Sequence, residues 1–268
     1  MNFVSMKTLS SWEEALAAPA PCDHLVQLYT SDDALASTVT HFIERGLAAG
    51  EGVVAVITPA HWTTIAGRLA ATGIDVGEAQ AAEQLVICDA YETLGRFMAD
   101  GMPDRSEMRA AVTGAIDRAR RAGSTTLRAF GEMVDILNRR GNFAAAIRLE
   151  ELWNEVLSEQ QIALLCAYAI DVFDREEYRT TLPSIGHVHS HLMPVEDCER
   201  LEGAIDRAFV DVFGIHGDTR LLRELFVRQL PDTAAMPTAQ GALFALRGID
   251  TRLADAVLER AATYYRGA

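Results

Sequence analysis

The chain has 268 residues, 49% of them hydrophobic, and a formal net charge of −14. That acidity excludes a protein-wide basic footprint for nucleic acid, whose phosphates call for clustered cations. No apolar run approaches the roughly 20 residues that span a bilayer, and "MNFVSMKTLSSWEEALAAPAP" lacks a signal peptide's long apolar stretch. A cytoplasmic protein with no direct nucleic-acid or membrane partner is therefore expected. Cys22, Cys88, Cys166 and Cys198 form no CxxC pair, which argues against metal ribbons and disulfide frameworks.

In chain order, "HLVQLYT" (24–30) predicts a buried strand. The next helix places Leu35, Val39, Phe42, Ile43 and Leu47 on one face. "AAGEG" ends it, and "VVAVIT" (53–58) is a continuous apolar strand of the kind that parallel sheets bury on both faces. Pro59 opens a helix through "AHWTTIAGRLAATG". "QLVICDA" (84–90) is a third strand, and "SEMRAAVTGAIDRARRAG" a long helix whose arginines form its solvated side. "TTLRAFGEM" (125–133) predicts a fourth strand, "NFAAAIRLEELWNEVLSEQ" a helix with Leu149, Leu152, Trp153 and Val156 inward, and "IALLCAYAI" (162–170) a fifth strand. Five apolar strands separated by helices imply an α/β fold with a mostly parallel sheet covered on both faces.

After "HSHLMP" the pattern changes. From Val195 onward the sequence predicts only helices: one through Leu201, Ile205, Ala208, Phe209 and Val212, a second near 221–230, and two more over "AQGALFALRG" and "DTRLADAVLERAATYY". Pro231 and Pro237 mark a loop. The division is then an extension over 1–21, an α/β domain over 22–194 and a helical C-terminal module over 195–268. The composition permits homodimerisation through that module.

Lys7 is the only lysine, and no glycine turn precedes it. A phosphate loop needs a lysine at the β/γ-phosphates. The turn "TSDDALAS" offers backbone amides at a helix start, which could hold an anion. Yet Ser31 or Asp32 there is an ordinary N-cap, and the Asp32–Asp33 pair repels phosphate. Asp89 ends an apolar strand, where an ATPase would hold magnesium, with no phosphate loop opposite it.

Candidate ligand-binding residues follow from the edge at which open sheets bind ligands. They are Tyr29, Thr30, Ser31 and Thr58 beyond the first two strands, Arg128 and Glu132 in "LRAFGEM", and Cys166 and Tyr168 in "LLCAYAI". Arg128 and Glu132 would line one polar pocket, or Arg128 would pair with a carboxylate of the next helix. Period-two alternation puts Cys166 and Tyr168 on one face, with one in the core and the other at the pocket rim. In "HVHSH", His187, His189 and His191 would share one face of a strand, whereas on a helix only His187 and His191 would align; alternating imidazoles could bind zinc, copper or nickel, and a packing role is the alternative. No G-x-S-x-G or H-E-x-x-H motif marks a catalytic centre, so no catalytic residue and no cofactor is assigned.

Taken together, "HLVQLYTSDDALASTVTHFIERGLAAGEGVVAVIT", "LRAFGEMVDIL", "RLEELWNEVL", "LLCAY" and "HSHLMP" resemble the MEDS domain, the methanogen/methylotroph, DcmR sensory domain, over roughly residues 22–194. The resemblance implies a sensory module of bacterial or archaeal signalling or transcription control on a RecA/KaiC-like three-layer scaffold. In that family pattern Ser37-Thr38 could match the phosphate loop's hydroxyl position, but no lysine precedes them and no glycine lies between Thr30 and Thr38. The expected protein is a non-enzymatic regulator that binds a small molecule or a signalling protein. The alternatives are a divergent nucleotide-binding protein or ATPase, and a purely protein-binding adaptor.

Overall fold

The computed structural model describes residues 9–121, 123–124, 126–195, 197–214, 219–227 and 235–267. The chain divides into two compact units, one of Leu9–Ala169 and a second beginning at Ile170.

In the first unit, α1 (Leu9–Ala17) precedes β1 (His24–Tyr29), α2 (Asp32–Ala48), β2 (Gly52–Ile57), α3 (Pro59–Ala71), α4 (Val76–Ala81) and β3 (Leu85–Asp89). Then come α5 (Ala90–Phe97), the two-residue strands β4 (Met98–Ala99) and β5 (Met102–Pro103), α6 (Arg105–Arg121), β6 (Leu127–Gly131), α7 (Met133–Arg139), α8 (Phe143–Gln160) and β7 (Ala163–Ala169). The five long strands are parallel and lie in the order β3-β2-β6-β7-β1. Every residue of β1 and of β2 is buried, as expected of strands covered on both faces. Register runs evenly across the sheet: Val54 faces Val86 and Ala129, and Ala129 faces Leu164, which in turn faces His24.

Side-chain caps set the helix starts, each satisfying amides that have no intrahelical partner. Ser31 accepts from the Ala34 amide, Thr58 from His61, Asn142 from Ala145, and Asp89 from Tyr91 and Glu92. The elements differ from the predicted ones in two ways. The fourth strand stops at Gly131, and "MVDIL" begins α7, because a short apolar run has no periodicity that separates strand from helix. The elements α4 and α5 and the β4–β5 pair fill stretches that the sequence pattern left unassigned.

The second unit contains α9 (Arg175–Arg179), α10 (Thr181–Val188), β8 (His191–Leu192), α11 (Cys198–Phe213), α12 (Arg220–Val227), α13 (Thr238–Ile249) and α14 (Thr251–Arg266). Residues 170–194 pack with the helices that follow them: Phe173 lies 5.1 Å from Tyr265 and Tyr178 lies 5.4 Å from Phe244, centroid to centroid. Leu201, Ile205, Ala208 and Phe209 are buried on α11. The predicted helix at 221–230 is seen to Val227; its remainder and Pro231 lie outside the described residues. Among the described residues, no helix is long and apolar enough to cross a membrane.

Candidate functional site

Glu132 follows β6 directly, at the C-terminal edge of the sheet, and is 2% exposed. Its Oε1 accepts the backbone N–H of Thr58, which follows the neighbouring strand β2. Its Oε2 lies 2.6 Å from Nδ1 of His61, in the first turn of α3. The other ring nitrogen of His61 is 3.5 Å from Asp32 Oδ1, a carboxylate whose side chain is 79% exposed. A line of polar groups thus runs from a buried acid, through an imidazole, to the surface.

The hydrogen bond to Glu132 raises the His61 pKa above its ordinary 6.5. Burial opposes that rise, and the charges of Glu132 and Asp32 add to it. Such a pair can exchange a proton or receive a ligand's hydrogen-bond donor. An anion would meet two carboxylates.

A second cluster closes the edge at β1 and β7. The Tyr29 hydroxyl donates to Asp135 Oδ2 at 3.0 Å and accepts from Arg139 Nη2 at 2.9 Å. Asp135 also accepts from Arg139 Nε at 2.7 Å and, through Oδ1, from the Ala169 amide at 2.8 Å. Burial, with Asp135 adding, pushes the Tyr29 phenol well above its usual range, so it stays protonated. Thr30 and Ser31 are exposed, and Ser31 is the α2 cap. Helix α2 starts at Asp32, so Ser37 and Thr38 fall in its second turn.

Arg128 is not at this edge. It sits at the start of β6, four residues or about 13 Å of strand before Glu132. It is 1% exposed, pairs with Glu51, donates to the carbonyls of Phe42 at 3.0 Å and Ala17 at 3.1 Å, and lies 4.9 Å from the Phe42 ring centroid. Its partner therefore comes from the segment before β2 and not from the next helix. The shared Arg128–Glu132 pocket does not form, because the two residues occupy opposite ends of one strand.

Cys166 and Tyr168 do share a face, as alternation requires, but both are fully buried and neither reaches a rim. Tyr168 donates to Glu150 Oε1 at 2.9 Å, and the Cys166 thiol donates to Glu150 Oε2 at 3.3 Å. Burial first, then Glu150, pushes both groups well above their usual pKa ranges. His24 joins them, with Nε2 3.5 Å from Cys166 Sγ and Nδ1 2.9 Å from Asn154 Oδ1.

The three histidines of "HVHSH" do not lie along one element. His187 is exposed in the last turn of α10, His189 is the extended residue after it, and His191 lies in β8. Nδ1 of His189 is 2.8 Å from the Ile185 carbonyl, and Nδ1 of His191 is 2.8 Å from Ser190 Oγ. Neither the strand reading nor the helix reading of 187–191 holds throughout, because a helix ends within the stretch.

His61, Asp135 and Glu150 were missed in the sequence. Asp135 stands alone in the apolar run "MVDIL", and Glu150 lies four residues after buried Ala146 and three before buried Trp153; both were legible as acids on apolar faces. His61 carried no such signal. A surface depression of about 490 Å³ in the second unit is lined by residues including Phe173, Glu259, Thr263 and Arg266, and contains none of the predicted site residues.

No curated protein matches the chain. The family model of the MEDS domain, the methanogen/methylotroph, DcmR sensory domain, matches residues 23–183. That match covers more than half of the sequence and includes every strand of the Glu132 edge; the chain belongs to the MEDS family.

Proposed function

We propose that the chain is a non-enzymatic sensory or regulatory protein of prokaryotic signal transduction or transcription control. It recognises a small molecule or a protein partner at the C-terminal edge of its sheet. The observation that carries this proposal is the buried Glu132 carboxylate, held by the Thr58 amide and by the partly exposed His61 where two adjacent strands end. A ligand's hydroxyl or amine can recruit that carboxylate by displacing the imidazole. MEDS membership supports the sensory role.

The scaffold is a RecA/KaiC-type sheet without its phosphate loop. The pairing order of the five strands (third, second, fourth, fifth, first) supports this, as does the direct entry from Ser31 into α2. Recognition becomes a signal only where the ligand prefers one of two conformations, since equal affinity for both shifts nothing.

Native mass spectrometry of the full chain purified from its host tests the proposal. The expected result is a retained polar small molecule or partner, weakened about tenfold or more in Glu132→Gln through loss of a charge-assisted hydrogen bond. Retention unchanged by Glu132→Gln would move the site elsewhere. Chemical turnover of the retained molecule would overturn the non-enzymatic assignment.

A further inference from the structure

Three donor atoms of metal-binding residue types converge beneath α8. His24 Nε2 is 3.2 Å from Glu150 Oε2 and 3.5 Å from Cys166 Sγ, and Cys166 Sγ is 3.3 Å from Glu150 Oε2. They come from β1, α8 and β7, and the two strands pair with His24 facing Leu164 and Val26 facing Cys166. His24 is 2% exposed, and Glu150 and Cys166 are fully buried.

These separations match the edges of a tetrahedral ion. With metal–sulfur bonds of about 2.3 Å and metal–nitrogen or metal–oxygen bonds of about 2.0–2.1 Å, tetrahedral angles put sulfur about 3.5 Å from the lighter donors and nitrogen about 3.3 Å from oxygen. The residues behind the donors point the same way. The Asn154 amide oxygen only accepts, so His24 Nδ1 carries the hydrogen and Nε2 turns its lone pair toward Glu150 and Cys166. The Tyr168 hydroxyl occupies Oε1 of Glu150, which leaves Oε2 turned toward His24 and Cys166. Charge also balances. One carboxylate and one thiolate neutralise a dication.

We propose that His24, Glu150 and Cys166 bind a divalent transition-metal ion of the zinc type. The mixed nitrogen, oxygen and sulfur donors suit zinc. The thiol proton leaves to solvent as the ion enters, and the remaining position of a four-coordinate ion takes a further donor. The ion ties β1 and β7 to α8. The site is distinct from the Glu132–His61 pair and does not depend on the function proposed for that edge.

The test uses the full chain without a histidine tag. Elemental analysis should find one equivalent of zinc per chain, removable by chelator. Refilling with cobalt(II) should give a thiolate-to-cobalt charge-transfer band with the visible bands of a tetrahedral ion. Cys166→Ser should abolish the charge-transfer band, His24→Gln should weaken cobalt binding at least about tenfold, and Cys88→Ser should change neither. If the site variants do not fold, the wild-type spectrum decides alone: cobalt addition with no charge-transfer band, in protein that carries no zinc, overturns the proposal. A band that survives Cys166→Ser in folded protein overturns it equally.

Discussion

The His61 imidazole and the Glu132 carboxylate meet at 2.6 Å although 71 residues separate them in the chain. The hydrogen bond that His61 donates to Glu132, with the charges of Glu132 and Asp32, holds the His61 pKa above 6.5 against the effect of burial. A raised folded-state pKa contributes stability that is fully present below the unfolded value. That contribution is lost as pH rises through the folded value. Urea denaturation between pH 6 and 9 is expected to show stability falling across this window, with the fall flattened in His61→Gln. The His61 pKa followed by NMR should drop toward its ordinary value in Glu132→Gln. An unshifted His61 in the wild type would show that the pair is not formed in solution.

Arg128 accounts for a glycine. A Cβ on Gly46 would lie 2.7 Å from Arg128 Nε and 2.8 Å from its Cδ. In an open helix, Gly→Ala gains up to about 1 kcal/mol. Here the guanidinium is fixed by Glu51 and two carbonyls and cannot retreat, so overpacking of about 1–3 kcal/mol wins. Gly46→Ala is expected to destabilise the protein, and Arg128→Met to cost about 3–5 kcal/mol because Glu51 and the carbonyls lose their partner. Chemical denaturation measures both. If Gly46→Ala is stabilising, the arginine has room to move.

The legible and illegible parts of this fold separate by the range of the information. Strands β1, β2 and β7 could be read because burial on both faces leaves an unbroken apolar run within one short window. Helix α7 could not, because "MVDIL" is apolar in either state and the α7 start has no side-chain cap. Glu132 was legible from position alone, as an acid just past a strand end. Its partner His61 was not, since their meeting depends on β2 lying beside β6, a pairing written nowhere in either segment. Arg128 and Glu132 misled for the opposite reason: closeness in sequence along a strand is distance in space.

Tyr29 and Asp135 carry unequal weight at the β1–β7 end of the edge. Tyr29→Phe removes one hydroxyl and leaves Asp135 with Arg139 and the Ala169 amide, so the expected loss is about 1 kcal/mol. Asp135→Ala leaves the buried Tyr29 hydroxyl and the Ala169 amide without their acceptor and leaves Arg139 bonded only to the Tyr29 oxygen. Its cost is expected to be about 2–4 kcal/mol, two to four times larger. Equal losses in thermal or urea unfolding would mean that Asp135 does not organise this corner.

Phosphate binding is opposed at the turn after β1 by two separable features. Only Thr30 and Ser31 link β1 to α2, which leaves no loop of amides to surround a phosphate. The first turn of α2 then presents Asp32 and Asp33, both exposed. ATP with magnesium is expected to leave unfolding unchanged: at a tenth of Kd the stabilisation is below about 0.1 kcal/mol, against about 2.7 kcal/mol at 100 times Kd. Replacing Asp32 and Asp33 with asparagine separates the causes. If the carboxylates alone exclude the nucleotide, the double variant should acquire a measurable shift. If the missing loop is the stronger obstacle, as the two-residue link implies, it should acquire none, because removing repulsion supplies no donor to hold the phosphates. A wild-type shift accompanied by phosphate release would show that neither feature excludes nucleotide chemistry.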